Sequence, residues 1–167
     1  DSSLARFLQK YCLRGAENKK IPDFLYYKMN EKQTEFFIDQ LFEGDGHIGK
    51  FAYDDYVTVS KELAFQLYNL LLSCNYLSSL TYKDSYIDDR GYKCRGKWHV
   101  RRWKQKGLMR VKGFYKDRDF IYTTVKSIET FFKDCKVYNI EVDEEHSYIA
   151  DGISVHNCLV DPRTKQS

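Results

Sequence analysis

The sequence contains no CxxC pair, only two prolines, and no apolar run that approaches the roughly 18 residues of a membrane span. Its five cysteines are odd in number and scattered, which argues against a disulfide framework and against a zinc site. The first residues show no basic region followed by an apolar core, so we expect no signal peptide. These absences together predict a cytoplasmic protein with reduced thiols and no membrane partner.

The residues that are present predict a folded protein that contains both helices and strands. The hydrophobic content of 43% excludes wholesale disorder, and 167 residues suffice for one ordinary domain or two small ones. Asn30 precedes an apolar-periodic segment in which Gln33 stands at the capping-box position, and Ser60 precedes a second such segment. Strand-like pieces rich in Tyr, Val and Ile follow as far as Val142. We therefore predict an α+β fold with helices in front and a β-rich tail.

Positive charge is concentrated between Arg90 and Arg118. This segment holds twelve Lys and Arg and one acidic residue, Asp117, although the whole chain has a net charge of only +3. Interleaved aromatic residues and the near-alternation in "KWHVRRW" indicate strands that carry the charge. A solvated sheet face is the alternative, but the concentration favours contact with nucleic acid. The predicted contact residues are Arg95, Lys97, Arg101, Arg102, Lys104, Lys106, Arg110 and Lys112.

The stretch "HSYIADGISVHNC", residues 146–158, predicts a hairpin that ends in reactive side chains. Asp-Gly between apolar runs is typical of a two-residue turn, because both central residues need a positive φ. The asparagine in the final His-Asn-Cys can attack its own backbone carbonyl, which closes a succinimide and breaks the next peptide bond. That reaction needs a base, an acid and a backbone held close to the attack geometry.

Four residues fit those requirements around one peptide bond. His156 adjoins Asn157, and the predicted turn brings His146 back towards the same bond. Cys158 follows the bond, and its thiolate can carry an acyl group as a thioester. Each residue alone has an ordinary structural explanation, but the four in this order favour cleavage chemistry.

The segment "VYNIEVDEEHSYIADGISVHNC", residues 137–158, resembles the C-terminal splicing motif of an intein. The resemblance implies that Asn157 cyclises, that Cys158 accepts the acyl group, and that His146 and His156 assist. Residues 119–157 would then be the C-terminal part of a Hint splicing domain, and residues 158–167 the start of the C-extein. Within this part, residues 120–132 resemble a strand pair of the same fold, and Asn139 stands where the motif commonly has Asp. No cofactor is expected for splicing.

The front of the chain resembles a LAGLIDADG homing endonuclease, most specifically over residues 36–48, "FFIDQLFEGDGHI". The resemblance implies a half-domain of helices on a basic antiparallel sheet over residues 1–118, with duplex DNA as partner. It makes Asp45 the metal-binding acid, with Mg²⁺ as cofactor if the endonuclease is active. Gln40 replaces a small residue of the motif, and only one motif is present, so we expect endonuclease activity to be lost.

The N-terminal half of a splicing domain is not found in the sequence. Asp1 has neither a thiol nor a hydroxyl, and no Thr-x-x-His motif is present. We therefore expect a C-terminal intein fragment, a split-intein partner or a piece of a larger intein, which splices with a complementary N-terminal intein fragment and the flanking exteins. The alternative is a DNA-binding LAGLIDADG endonuclease domain that acts on intein-less alleles. A hedgehog-type autoprocessing domain is a weaker candidate, because that family does not finish with asparagine cyclisation.

Overall fold

The computed structural model describes ten segments of the chain: residues 2–11, 15–50, 52–106, 109–111, 113–118, 120–136, 140, 142, 146–150 and 152–156. The chain forms two compact units, Asp1–Thr124 and Val125–Ser167. Of the helices described, none is long and apolar enough to cross a membrane.

The described residues of the first unit form four α-helices and a short 3-10 turn. The helices are α1 (Ser2–Tyr11), α2 (Asp23–Tyr26), α3 (Glu31–Asp45) and α4 (Lys61–Ser73), and the turn spans Ala16–Asn18. The predicted capping box is confirmed: the Asn30 side chain accepts from the Gln33 backbone, and the Gln33 side chain accepts from the Asn30 backbone. Ser60 caps α4 by accepting from the backbone N–H of Leu63.

The main sheet is antiparallel and has the strand order β1-β2-β6-β3. Its strands are β1 (Gly46–His47), β2 (Tyr53–Thr58), β3 (Tyr76–Lys83) and β6 (Lys97–Lys106). Two smaller antiparallel sheets belong to the same unit: β4 (Tyr86–Ile87) with β5 (Lys93–Cys94), and β7 (Met109–Val111) with β8 (Phe114–Lys116) and β9 (Ile121–Thr123). The second unit contains a hairpin of β10 (Ser147–Ala150) and β11 (Ile153–His156). The predicted α+β fold with antiparallel sheets is confirmed.

The hydrophobic core lies between α3, α4 and one face of the main sheet. Ile38 and Phe42 are four residues apart on α3, so both point to the same side of the helix, and both are fully buried. The sheet contributes Tyr56 from β2 and Val100 from the central strand β6, which lie opposite each other in the register. Because side chains alternate along a strand, their neighbours in sequence lie on the opposite face, away from the core.

The region predicted as a strand pair, residues 120–132, has a different structure. Only Ile121–Thr123 forms a strand, and this strand pairs with β8 in the first unit. Residues 124–136 contain neither helix nor strand. The prediction of a strand pair over 120–132 is therefore wrong in its second half, residues 124–132, where one Lys and four acidic or hydroxyl side chains interrupt the apolar residues.

Candidate functional site

The hairpin predicted at residues 146–156 is present with a two-residue turn. Ala150 and Ile153 face each other as the last pair of the antiparallel ladder, so two positions of the sequence separate the paired residues. Gly152 has a φ of 79°, in the region that turns of this kind require and that glycine adopts without strain. The Asp-Gly pair thus predicted both the position and the length of the turn.

The same register brings His146 and His156 close together. Ser147 pairs with His156, so the residue preceding Ser147 lies beside the end of β11. The two imidazole ring centroids are 6.5 Å apart, and both side chains are exposed. His146 has a φ of 47°, a left-handed conformation that is uncommon for a residue other than glycine. The predicted reactive residues Asn157 and Cys158, which follow His156 directly, lie outside the described residues.

The main sheet presents a polar face on the side away from the helices, and we call this the open face. The central strand contributes His99, Arg101 and Trp103 to it, and β2 contributes Tyr53 and Asp55. In the register Tyr53 is opposite Trp103, and Asp55 is opposite Arg101. On the other side of β6, Ser79, Thr81 and Lys83 of β3 are opposite Arg101, His99 and Lys97.

The predicted nucleic-acid-binding residues have different surroundings. Arg95 has a side chain 77% exposed and lies 3.7 Å from a carboxylate oxygen of Glu17. Lys97 and Arg101 are partly exposed on the open face. Lys104 is on the helix side of β6, where its Nζ donates to the backbone oxygen of Gly49 and lies 3.4 Å from an Asp54 carboxylate oxygen. The side chains of Lys106 and Arg110, and Lys112 as a whole, lie outside the described residues.

Arg102 does not belong with the exposed basic residues. Its side chain is 10% exposed and lies on the helix side of β6, above the ring of Phe42. Its guanidinium donates to Asp39 of α3 and to Asp54 of β2, whose side chain is 2% exposed. Burial lowers the pKa of Arg102, but the hydrogen bonds and charges of the two carboxylates outweigh burial, so the pKa is raised. Arg102, one of the predicted nucleic-acid contacts, thus has its guanidinium donors engaged by two carboxylates of the protein itself.

Asp45, the predicted metal-binding acid, is the last residue of α3 and is exposed. Gly46 ends the helix, and a Cβ there would lie 2.6 Å from the backbone oxygen of Phe42, so only glycine fits at this position. Burial, together with the charge of Asp45, raises the pKa of Tyr56. In the part of the chain that is described, no group of three or more His, Cys, Asp or Glu residues is arranged to hold a metal.

Sequence reasoning missed the acidic residues of β2 and their partners. Asp54 is nearly completely buried against Arg102 and Lys104, and Asp55 on the open face contacts His99, with 2.9 Å between its Oδ2 and the imidazole Nδ1. The signal was two consecutive acids inside a short strand-like segment, "YDDYVT". Because the basic partners are more than 40 residues away, the pairing itself could not be read from the sequence.

No family model matches the chain. A search of curated proteins finds the ATP-dependent DNA helicase Hel308 of Thermococcus kodakarensis, 30% identical over 92% of this chain and 15% of the helicase. It also finds a DNA polymerase of a Thermococcus species, 28% identical over 92% of this chain and 10% of the polymerase. A third relative, DNA topoisomerase 1 of Pyrococcus furiosus, is 47% identical over 28% of this chain and 4% of the topoisomerase. The chain thus spans less than one sixth of each of these relatives.

Proposed function

We propose that this chain is the C-terminal part of an intein and takes part in protein splicing. The observation that carries the proposal is the β10–β11 hairpin, whose register places His146 beside His156, the residue that precedes Asn157 and Cys158. Two imidazoles next to one peptide bond supply the acid and the base that asparagine cyclisation requires. The site residues of the proposal are therefore His146, His156, Asn157 and Cys158.

The proposed cleavage is a cyclisation at Asn157. Its side-chain nitrogen forms a bond to its own carbonyl carbon and loses a proton, while the bond from that carbon to the Cys158 nitrogen breaks and the departing amine gains a proton. One histidine accepts a proton and the other donates one. Both rings are exposed and lie at the open end of the hairpin, one on each strand side. Before this step, the Cys158 thiolate accepts the upstream acyl group from a thioester, so the two exteins are already joined through Cys158 when cyclisation releases them.

The relatives support the proposal that this chain is a segment inserted in a host protein rather than a domain of the host enzyme. A helicase and a polymerase, as their names state, carry out different reactions, yet the matches to both cover 92% of this chain. The shared segment is a small part of each relative and occurs in enzymes with different reactions, so neither reaction explains why it is there. A segment that removes itself from its host is compatible with any host enzyme.

The exposed apolar side chains of the second unit support the proposal that a partner segment covers them. All described residues of the buried hydrophobic core belong to the first unit, and Val100 is the last of them in the sequence. The described apolar side chains beyond residue 124 are largely exposed. Those exposed side chains are Val125, Ile128, Phe131, Phe132, Ile140, Ile149 and Ile153. Apolar surface of this extent marks an interaction site, and a two-stranded hairpin is only marginally stable alone. We propose that the N-terminal part of the splicing domain, on a separate chain or in sequence preceding residue 1, covers this surface.

The splicing proposal is tested by two substitutions at the cleaved bond. With a complementary N-terminal intein piece present, Asn157→Ala should abolish release of residues 158–167, because alanine has no amide nucleophile. Cys158→Ala should abolish ligation and still permit release, since cyclisation does not use the thiol. Intact-mass measurement over time reports both outcomes.

Ser154→Ala is the matched control, because Ser154 is an exposed residue of the same strand and should leave both reactions unchanged. Continued release of the C-terminal segment by Asn157→Ala would refute the proposed chemistry.

A second candidate function, binding of duplex DNA, is favoured by the open face. This face carries Lys83, Lys97 and Arg101 at partly or fully exposed positions, next to exposed or half-exposed aromatic rings. Basic side chains bind phosphates through charge, and aromatic rings contribute contacts to sugars and bases. The helix side of the same sheet is the core of the unit, so the open face is the surface on which DNA would lie.

DNA binding is tested by charge reversal with a control of equal charge. Lys83→Glu with Lys97→Glu should weaken binding and flatten the salt dependence, because log K falls by about 0.9 per log unit of salt for each phosphate neutralised. Lys28→Glu with Lys32→Glu changes the net charge equally on α2–α3 and should have a much smaller effect. Equal losses in both double variants, or binding that is independent of salt, would remove the open face as the DNA-binding surface.

DNA cleavage by Asp45 is not part of the proposal. Asp45 is an exposed carboxylate that belongs to no metal-holding group among the described residues, and Mg²⁺ at a cleavage site is held by carboxylates together with phosphates of the substrate. Such a site would need a second acid from another helix. Gln40, on the exposed side of α3, donates to Glu43, and it stands where the resemblance implies a small residue.

A further inference from the structure

The sheet of β7, β8 and β9 turns one face to the body of the first unit and the other face outwards. On the inner face Phe114 is half-buried, and Lys116 is 1% exposed and donates from its Nζ to the backbone oxygen of Asn75. Tyr115 stands between these two residues in β8, so alternation directs it to the outer face. Tyr122 of β9 is directly opposite Tyr115 in the register and therefore shares that face.

The outer face carries three exposed aromatic rings in contact with one another, and we call them the aromatic row. Tyr115 and Tyr122 are stacked, with 5.6 Å between the ring centroids and an angle of 29° between the rings. Phe120 continues the row, with its ring centroid 6.2 Å from that of Tyr122. Tyr115, Tyr122 and Phe120 are 48%, 50% and 56% exposed. Single exposed aromatic residues are ordinary, but a contiguous group of them marks a binding surface.

Asp117 fixes the aromatic row in position. Its Oδ2 accepts a hydrogen bond from the Tyr122 hydroxyl at 3.0 Å, and its Oδ1 accepts one from the backbone N–H of Phe120 at 2.7 Å. The backbone N–H of Asp117 donates to the backbone oxygen of Phe120 at 3.1 Å, which closes the turn between β8 and β9. Rings that are already oriented lose less freedom when they bind a ligand.

The surroundings of the aromatic row carry an excess of positive charge. Residues 109–123, which form this sheet and its turns, include four Lys or Arg and two Asp. Arg118, in the turn that Asp117 closes, is exposed. Flat rings beside positive charge complement a polymer that has both flat rings and negative charge. In a duplex the bases cover one another's faces, so an unpaired strand is the form that offers them for stacking.

We propose that the aromatic row binds single-stranded nucleic acid, with bases stacked on its rings and a phosphate at Arg118. The site is on a different sheet from the open face. It depends neither on the splicing proposal nor on duplex binding, so failure of either one leaves it standing.

The test measures fluorescence anisotropy with the full chain and a labelled oligothymidylate of about 15 nucleotides. Tyr115→Leu and Tyr122→Leu should each weaken binding by about 5- to 100-fold without changing its salt dependence, because each removes a ring and no charge. Tyr115→Phe keeps the ring and should bind as the unaltered chain does. Arg118→Gln should reduce the slope of log K against log salt by about 0.7, the value for one phosphate of a single strand. An oligouridylate of the same length shows whether DNA or RNA binds more tightly.

Tyr86→Leu is the matched control, because Tyr86 is 48% exposed, as Tyr115 is, but belongs to β4 of another sheet. It should leave single-strand binding unchanged, and neither Tyr115→Leu nor Tyr122→Leu should change binding of a duplex of equal length. Thermal unfolding checks that each variant is folded. Tyr115→Leu keeps the Asp117 hydrogen bonds to Tyr122 and Phe120, so it remains informative if Tyr122→Leu unfolds.

Ultraviolet crosslinking identifies the contact directly. An oligonucleotide that contains 5-iodouracil should crosslink to Tyr115, Tyr122 or Phe120, as located by mass spectrometry of the digested complex. Three results would overturn the inference: no binding of either single strand at low salt, unchanged binding in both Tyr→Leu variants, or equal losses for single strand and duplex.

Discussion

Arg102 and its neighbour Arg101 show how one residue step changes the role of a charge. Both are arginines of β6, but alternation directs Arg101 to the open face and Arg102 into the space beneath α3. Arg102 is satisfied by two carboxylates and packs over Phe42, so it joins α3, β2 and β6. Asp54 has a side chain that is 2% exposed, and Arg102 is its buried charged partner, beside Lys104 Nζ at 3.4 Å and the backbone N–H of Gly49. Loss of the buried partner is unfavourable for a carboxylate held away from water.

We predict that Arg102→Ala lowers the free energy of unfolding by about 3–5 kcal/mol, the usual cost of breaking a buried ion pair by removing one partner. Asp39→Asn should cost less, since the Asp39 side chain is 49% exposed and water replaces its partner. Chemical denaturation monitored by tryptophan fluorescence measures both.

Lys104→Ala serves as the control for Arg102→Ala, because the Lys104 side chain is 40% exposed and surface pairs contribute at most about 1 kcal/mol. The double substitution Arg102→Met with Asp54→Leu should recover much of the loss, because it removes both charges together. If Arg102→Ala were as stable as Lys104→Ala, Arg102 would not have the structural role that its contacts indicate.

Elements governed by local rules were predictable, and those governed by distant partners were not. The capping box at Asn30, the cap at Ser60 and the turn at Gly152 each depend on residues within four positions, so the sequence specified them. The face of β6 that Arg101 or Arg102 occupies depends on which face packs against α3 and α4. Two adjacent arginines give no clue to that choice.

The same reasoning explains the candidate sites. The hairpin that joins His146 to His156 is local, and its prediction from "IADGIS" is confirmed. The pairing of His99 with Asp55 crosses 44 positions of sequence and became visible only in the structure. The resemblance to a splicing domain places residues 120–132 in the tail, whereas the strand Ile121–Thr123 pairs with β8. Apolar and β-branched residues favour a strand without indicating which strand it pairs with.

At the scale of the whole molecule, the first unit has a buried core, and the second begins with a segment that has none. Residues 125–136 contain no helix or strand, and Ile128, Phe131 and Phe132 are 85%, 79% and 101% exposed. A protease binds exposed backbone that is not held in a helix or strand. The backbones of the helices and strands in the first unit are paired and therefore resist cleavage.

We therefore predict that chymotrypsin, which cleaves after aromatic residues, cuts first after Phe131 or Phe132 and leaves a resistant fragment close to residues 1–124. Mass spectrometry identifies the first fragments, and thermal unfolding shows whether the resistant one is folded. Phe131→Ala with Phe132→Ala should remove the early cut. Tyr92→Ala is the control: Tyr92 is 67% exposed, but it lies beside the Asp88–Gly91 turn, where its backbone N–H donates to Asp88.

Addition of a complementary N-terminal intein piece should protect the 125–136 segment, since the proposed partner covers its apolar side chains. First cleavage inside the main sheet would contradict the division into units, and unchanged cleavage with the partner bound would contradict the proposed docking surface.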